Sequence, residues 1–239
     1  MMPSASTRVG QMRVSGMMSR LTGSTGLMMD PSFWHQRWEK HEIRFHESTP
    51  NPLLVKYVHE LSVAKGRRIF LPLCGKTLDI GWLLSQGYRV VGVELSRIAI
   101  EQLFMELGMQ PEISGVGDVE QWSAYKIDIF VGDIFALSRQ ILGPVDAIYD
   151  RAALVALPEN MRKRYAAHLT ELTQKAPQLL ISYEYDQRVM AGPPFSVSHE
   201  EVHHHYAGKY HVTLLASTEV AGGLKGKCPA KENAWLLKP

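Results

Sequence analysis

The sequence has little of what marks secreted, membrane or nucleic-acid-binding proteins. Only two cysteines, Cys74 and Cys228, occur in 239 residues, and they lie too far apart to suggest a disulfide framework. No run approaches the ~18 consecutive apolar residues of a membrane span. The 26 basic and 24 acidic residues nearly cancel, so no charge excess points to a nucleic acid or a membrane surface. We therefore expect a cytoplasmic protein, and nothing in the sequence demands more than a monomer.

The first 29 residues differ in composition from the rest of the chain. They contain Arg8, Arg13 and Arg20, no acidic residue, and many Ser, Thr, Gly and Met. They lack the clear amphipathic period of an organelle presequence and the apolar run of a secretory signal. We expect residues 1–29 to be a flexible extension, or an over-long start whose true initiator is a later Met. Residues 30–239 are then one domain, a usual size for an α/β fold.

Apolar runs alternate with amphipathic patterns along residues 50–206. Five runs are typical of buried parallel strands: 68–73, 88–94, 127–131, 145–149 and 178–185. Helices are predicted at 52–63, 77–85, 98–107, 158–174 and 198–206. Two final strands, 211–220 and 234–238, are joined by a loop rich in Gly and Lys, so they should pair antiparallel. The pattern predicts a doubly wound, mostly parallel sheet of about seven strands with a C-terminal antiparallel hairpin.

A carboxylate at the end of the second strand predicts a nucleoside cofactor. The first strand leads into a turn at Gly75, and the second strand ends at Glu94. In an open α/β sheet such a carboxylate lies over the strand ends, where it can accept hydrogen bonds from ribose hydroxyls.

The turn also restricts which nucleoside is bound. A dinucleotide needs a turn with several glycines that lets a pyrophosphate approach the backbone, and here Gly75 is the single glycine. Gly75-Lys76-Thr77 also lacks the upstream glycine of an ATP-binding loop. S-adenosylmethionine contains no phosphate and needs only an acid for its ribose and an apolar slot for its adenine. Glu94 and the turn at 132–135 supply these two features, so a methyltransferase is favoured over an NAD-dependent oxidoreductase.

Several segments together resemble one methyltransferase family. They are FWHQRW at 33–38, IRFH at 43–46, LPLCGKTLD at 71–79, GYRVVGVELS at 87–96, YDRAALVALP at 149–158 and GPPF at 192–195. Over about residues 30–239 the chain resembles the thiopurine S-methyltransferase family in its bacterial form. The resemblance implies transfer of a methyl group from S-adenosylmethionine to the sulfur of an aromatic or heterocyclic thiol. It also implies the Rossmann-like class I methyltransferase fold, with S-adenosylhomocysteine as the product.

The resemblance also implies roles for individual residues. By matching position, the cofactor-binding residues are Trp38, Leu73, Glu94, Asp133, Ile134 and Arg151, of which Asp133 and Ile134 flank the adenine. By the same matching, Phe45 lines the acceptor pocket. We further expect Trp34 and Phe195 to form an apolar pocket with Phe45 that removes water from the thiolate. Arg151 could also act in catalysis, as an orienting group whose charge favours an ionised thiolate.

Each of these roles has a simpler structural alternative. Trp38 could be a core anchor, Arg151 could pair with Asp150, and the loop at 222–231 could be a hairpin connection rather than a cover for the acceptor. Cys74 is expected to be a small buried residue. Consecutive helical side chains point about 100° apart, so the histidines at 203–205 are not expected to bind a metal ion.

Alternative functions share the same cofactor site. A soft anion such as a halide, thiocyanate, or an inorganic selenium or tellurium species fits the same in-line geometry as a thiol. A regulatory protein could instead bind the nucleoside without turnover. The sequence does not identify the physiological acceptor.

Overall fold

The computed structural model describes residues 31–43 and 47–239. The predicted extension at residues 1–29 lies outside these ranges. None of the helices within them is both long and apolar enough to span a membrane.

Within these two ranges, nine strands form a single sheet in the order β3-β4-β5-β2-β1-β6-β7-β9-β8. The strands are β1 (Arg68–Leu71), β2 (Arg89–Glu94), β3 (Glu112–Val116), β4 (Val119–Ala124), β5 (Ile127–Val131), β6 (Ala147–Arg151), β7 (Gln178–Tyr185), β8 (His211–Glu219) and β9 (Ala230–Lys238). The helices are α1 (Pro31–Glu39), α2 (Pro52–Tyr57), α3 (Leu78–Ser85), α4 (Arg97–Glu106), α5 (Arg139–Leu142), α6 (Glu159–Leu172) and α7 (His199–Tyr206). Short 3₁₀ turns cover Val58–Leu61, Ile134–Ala136 and Leu154–Ala156.

The centre of the sheet confirms the predicted doubly wound topology. Strands β5, β2, β1, β6 and β7 run parallel to one another. Strand β9 runs antiparallel to β7, and β8 pairs antiparallel with β9, so the predicted C-terminal hairpin is also confirmed. From β1 the chain continues through β2 to β5 on one side of the sheet and then returns to β6 on the other side. The order of the strands therefore reverses between β1 and β6, where α/β sheets bind their ligands.

The predicted number of strands, about seven, was too low by two, because the antiparallel pair β3 and β4 was not predicted. Strands β3 and β4 pair antiparallel with each other, and β4 pairs antiparallel with β5. Four of the five residues of β3 are exposed, so an apolar run could not reveal this edge strand. The buried ring of Trp122 on β4 packs against Phe104 on α4, with their centroids 6.0 Å apart.

The helices begin where the capping residues predict. Asn51 Oδ1 accepts from the Leu53 and Leu54 amides at the start of α2, and Ser96 and Ser198 cap α4 and α7 in the same way. The end of α2 differs from the prediction, because the α-helix gives way at Val58 to a 3₁₀ turn that stops at Leu61. A cap fixes a helix start through local hydrogen bonds, whereas the end depends more on packing.

Most of the core lies in two apolar layers, one on each face of the sheet, and a small third cluster contains Met190, Leu224, Cys228 and Ala230. One layer includes Tyr165 and Leu169 of α6 and Val202 of α7. The other includes Leu83 of α3 and Leu103 of α4. Helices on both faces leave the carboxyl edge of the parallel strands open for a site.

Gly92 in β2 is required by close packing below that edge. A Cβ atom at this position would lie 2.8 Å from Ile129 Cδ1 and 2.9 Å from Cys74 Sγ. We expect Gly92→Ala to destabilise the fold by about 1–3 kcal/mol through overpacking, measured by urea unfolding. Gly81→Ala on α3 is the matched control, because its Cβ would meet Leu107 Cδ2 at an ordinary 3.5 Å. A helical Gly→Ala change should be neutral or stabilise by up to about 1 kcal/mol, so equal destabilisation of both variants would contradict the packing argument.

Candidate functional site

A cavity of about 420 Å³ opens at the carboxyl ends of β1, β2 and β6. Most of the predicted site residues line it: Trp34, Trp38, Leu73, Glu94, Asp133, Ile134 and Arg151. The topology thus brings together residues that are more than a hundred positions apart in the chain. Their individual roles stay predictions.

Glu94 is the buried carboxylate of the site. Its side chain ends β2, and the residue is 7% exposed. Oε2 accepts from the Gly75 amide at 2.8 Å, and Oε1 accepts from the Ser96 amide at 2.9 Å. Burial raises the pKa of Glu94, and the backbone hydrogen bonds oppose that rise. The two bonds fix both carboxylate oxygens at the wall of the cavity.

The turn after β1 forms the neighbouring wall. Leu73 and Gly75 both have positive φ angles, 47° and 51°. Left-handed backbone at a non-glycine residue costs about 1–3 kcal/mol and is frequent in binding sites. The Trp38 ring packs against Gly75, where a Cβ would lie 3.2 Å from it. Trp38 is therefore both a buried anchor and part of the cavity wall.

Cys74, in the same turn, is a buried free thiol. Burial raises its pKa well above the usual value, and the nearby Glu94 raises it further. A thiol in this state is a poor nucleophile, which agrees with the expectation of a small buried residue.

The turn after β5 forms the predicted adenine side. Asp133 Oδ1 accepts from the Phe135 amide at 3.0 Å and caps the short 3₁₀ turn that contains Ile134. Ile134 is buried, and its carbonyl lies 2.9 Å from His168 Nε2. The turn presents one apolar and one acidic side chain to the cavity.

Arg151 ends β6 and pairs with Glu47 rather than with Asp150. Arg151 Nη2 lies 2.5 Å from Glu47 Oε1, and the Arg151 side chain is 10% exposed. Asp150 points to the opposite side of the strand and accepts from the Tyr165 hydroxyl at 2.7 Å and the Leu154 amide at 3.2 Å. The alternative of an Arg151–Asp150 pair was therefore wrong, since adjacent strand residues face opposite sides of a sheet.

The predicted acceptor side is only partly described. Trp34 lines the cavity, whereas the Phe195 ring packs beside Gly192 and is not among the described lining residues. Pro193 and Pro194, which precede it, do line the cavity. Phe45 lies outside the described residues.

Several lining residues were not among the predicted site residues, and they include Arg37, Glu47, Met161 and Tyr183. Leu224 and Lys225 also line the cavity, and they belong to the loop at 222–231. Lys225 lies in the connection between β8 and β9, and its Nζ donates to the Pro193 carbonyl at 2.6 Å. This loop thus contributes to the cavity wall, and its role as a cover for the acceptor stays a prediction. Glu47 stands in a polar stretch without periodicity, so no sequence pattern marked it.

A network of polar side chains lies behind Arg151. The Tyr149 hydroxyl donates to Asp79 Oδ2 at 3.0 Å, and Asp79 Oδ1 accepts from the Asn51 amide at 2.7 Å. Glu232 Oε1 accepts from the Tyr183 hydroxyl at 3.1 Å and from Asn51 Nδ2 at 3.3 Å. These bonds tie α2, α3, β6, β7 and β9 together beneath the cavity.

The histidines of α7 differ in their surroundings, because His199 and His204 are exposed whereas His203 and His205 are more buried. His205 Nε2 lies 3.1 Å from Glu201 Oε1, and the His205 side chain is 5% exposed. His199 and His203 stack on each other, and His199 also contacts the Trp235 ring. In the part of the chain that the structure describes, no group of three or more His, Cys, Asp or Glu side chains could hold a metal ion.

Comparisons with known proteins identify the family that this chain resembles. The family model described as "Thiopurine S-methyltransferase (TPMT)" matches residues 29–233. A thiopurine S-methyltransferase of Xanthobacter autotrophicus is 56% identical over 211 residues, covering 88% of this chain and 99% of the relative. One of Teredinibacter turnerae is 53% identical over 209 residues, covering 87% and 97%.

Solved structures show the same fold at low sequence identity. A SAM-dependent methyltransferase from Anabaena variabilis matches with a TM-score of 0.56 and 18% identity, covering 87% of this chain and 95% of the other. Magnesium protoporphyrin IX methyltransferase from Synechocystis, solved with bound SAH, matches with a TM-score of 0.60 and 10% identity, covering 87% and 99%. The Rossmann-like methyltransferase fold is therefore confirmed.

The fully buried Asp150 should make stability depend on pH. Burial raises the pKa of Asp150 from 3.8 to about 6, so the folded state binds this proton more tightly than the unfolded state. Its stabilisation is full below about pH 4 and is lost as the pH rises through about 6. We expect the free energy of unfolding of the wild type, relative to Asp150→Asn, to fall by on the order of 3 kcal/mol between pH 4 and pH 7. Urea unfolding at each pH measures this difference.

The control for the loss of one aspartate is Asp118→Asn, in the exposed turn between β3 and β4. The raised pKa of Asp150 would be contradicted if the free energy of unfolding of the wild type, relative to Asp150→Asn, stayed constant with pH or rose with it.

Proposed function

Because the chain belongs to the thiopurine S-methyltransferase family, we propose that it transfers the methyl group of S-adenosylmethionine to the sulfur of aromatic and heterocyclic thiols. The observation that carries the proposal is the buried Glu94 carboxylate on the wall of a cavity at the strand ends. Residues 30–239 are the proposed catalytic domain, and the acceptor is a small molecule. That neither a nucleic acid nor a membrane takes part, and that the enzyme is a cytoplasmic monomer, are predictions from the sequence.

The described residues fit the chemistry of this cofactor. A carboxylate has about four lone-pair sites, and the two amides that bond to Glu94 use two of them. The other two are available for the ribose hydroxyls. Trp38 and Leu73 would flank the amino-acid part, and Asp133 and Ile134 the adenine. The single glycine of the β1 turn is sufficient, because no phosphate has to be bound.

The reaction is one in-line displacement. S-adenosylmethionine supplies an electrophilic methyl group bound to its sulfonium sulfur. When the methyl group is transferred, this sulfur becomes the neutral thioether of S-adenosylhomocysteine, which is the leaving group. The acceptor thiolate forms the new sulfur–carbon bond, and the thiol proton has already gone to solvent. Heteroaromatic thiols are largely ionised near neutral pH, so the protein need not provide a strong general base.

The protein contributes position and surroundings. Holding the acceptor sulfur near 3 Å from the methyl carbon and in line with its bond supplies most of the rate enhancement. The walls formed by Trp34, Pro193 and Pro194 remove water from the thiolate, and the Trp38 ring stabilises the sulfonium charge by about 0.5–2 kcal/mol. Arg151 orients the acceptor.

Methyl-transfer assays test the activity. The protein is incubated with methyl-labelled S-adenosylmethionine and separate acceptors: 6-mercaptopurine, thiophenol, iodide, thiocyanate and selenite. Label on the two aromatic thiols supports the proposal. Label on the inorganic anions alone supports the alternative of a soft-anion methyltransferase. Tight cofactor binding with no transfer to any acceptor supports a regulatory protein.

Glu94→Gln tests the cofactor site. A charge-assisted hydrogen bond contributes about 1.5–3 kcal/mol, so we expect the Kd for S-adenosylhomocysteine to rise at least about tenfold, measured by calorimetry. Glu120→Gln on β4 is the matched control, because this carboxylate pairs with the exposed Arg97 away from the cavity. An unchanged Kd in a folded Glu94→Gln protein would refute the assigned role.

A further inference from the structure

The guanidinium of Arg151 is a nearly buried positive charge on the cavity wall, and Glu47 pairs with it. The two side chains form an ion pair at 2.5 Å, with 10% exposure for Arg151 and 40% for Glu47. Both residues line the cavity. The covering carboxylate is thus the more accessible partner and lies on the solvent side of the pair.

The other cations on the described wall are also engaged. Lys76 pairs with Glu106 at 2.5 Å, and Arg37 pairs with Glu42 at 3.5 Å. Lys225 donates to the Pro193 carbonyl. The Glu47–Arg151 pair differs from these two ion pairs because both its acid and its base line the cavity.

Further acidic groups surround the pair. The pKa of Glu47 is raised by burial, and also by the nearby carboxylates of Glu232 and Asp79, while Arg151 lowers it. The positive charge of Arg151 is itself balanced by Glu47 and by Asp79 of the polar network. An acceptor that brings its own negative substituent would have to displace Glu47 or lie beside it.

We propose that Glu47 is a specificity-determining residue that covers Arg151 and directs the acceptor site toward aromatic thiols without an anionic substituent. The proposal rests on the proposed function, because it concerns the acceptor of the same methyl transfer. The charge of the reacting sulfur is balanced by the sulfonium, so the discrimination acts on a second charge elsewhere on the ring.

Matched acceptors isolate that second charge. The 2-, 3- and 4-mercaptobenzoates are compared with their methyl esters, which keep the ring and the thiol but carry no carboxylate. For each pair the ratio of kcat/KM, acid over ester, is measured for the wild type, Glu47→Gln and Glu42→Gln. The glutamine at position 47 retains an oxygen that can accept from Arg151. Glu42→Gln removes the same charge from an acid that pairs with another lining arginine.

Removal of the covering charge should uncover Arg151. We expect the acid-to-ester ratio to rise about 3- to 10-fold in Glu47→Gln for at least one ring position, a modest effect because Glu47 is partly exposed to screening water. The ratio in Glu42→Gln should stay at the wild-type value. Unchanged ratios in Glu47→Gln at all three ring positions, or an equal rise in Glu42→Gln, would overturn the proposal.

A binding measurement separates this inference from the proposed function. Calorimetry with S-adenosylhomocysteine present gives the Kd of each S-methylated mercaptobenzoate and of its methyl ester. If the acids bind 3- to 10-fold more tightly relative to their esters in Glu47→Gln, and in no other protein of the set, the result supports the role of Glu47. This holds even if no thiol were methylated and the proposed activity failed. Efficient thiol methylation with the same acid-to-ester preference in all three proteins would leave the activity standing and remove Glu47 as its specificity residue.

Discussion

The carboxylate of Glu94 joins the two strands on which the site depends. Each of its oxygens accepts a backbone amide, one from the turn after β1 and one from the start of α4. A buried charge is costly unless hydrogen bonds satisfy it, so these amides and the carboxylate must be arranged together. The arrangement is possible because Gly92 lets β2 approach the β1 turn, and because Leu73 and Gly75 adopt left-handed backbone. The strain of that turn is thus tied directly to the orientation of the acid.

The parallel sheet determines which other residues lie near the Glu94 carboxylate. Carboxyl ends of β1, β2, β5 and β6 lie along one edge, so short turns far apart in the chain share one cavity. The antiparallel β8–β9 hairpin adds a different kind of wall, since its connection brings Lys225 back over the site. The predicted cofactor residues Leu73, Glu94 and Asp133 thus lie at strand ends or in the turns that follow them, whereas the two tryptophans of the wall, Trp34 and Trp38, come from α1.

Features encoded locally were predictable from the sequence, and features that depend on distant packing were not. Ser96 and Asn51 begin helices through bonds to amides two or three residues away, and Glu94 follows a buried strand, so each was visible as a pattern. The exposed strand β3 carries no apolar period and was missed. The partner of Arg151 was unpredictable for a related reason, because Glu47 is over a hundred residues away in a polar stretch. Phe195 belongs to the GPPF segment of the resemblance. Its ring nevertheless packs beside Gly192, and it is not among the described residues that line the cavity.

The charges around the acceptor side follow from the cost of burial. Arg151 is nearly buried, and an isolated buried guanidinium would be strongly unfavourable, so the fold must balance it. The negative charges that balance Arg151 are Glu47, on the cavity side, and Asp79 of the polar network. The network is fixed by hydrogen bonds among buried groups such as Tyr149 and Asp79, whereas Glu47 is partly open to solvent. Of the balancing charges, Glu47 is therefore the one that a bound acceptor can displace, and selectivity among acceptors then depends on how readily this carboxylate is replaced.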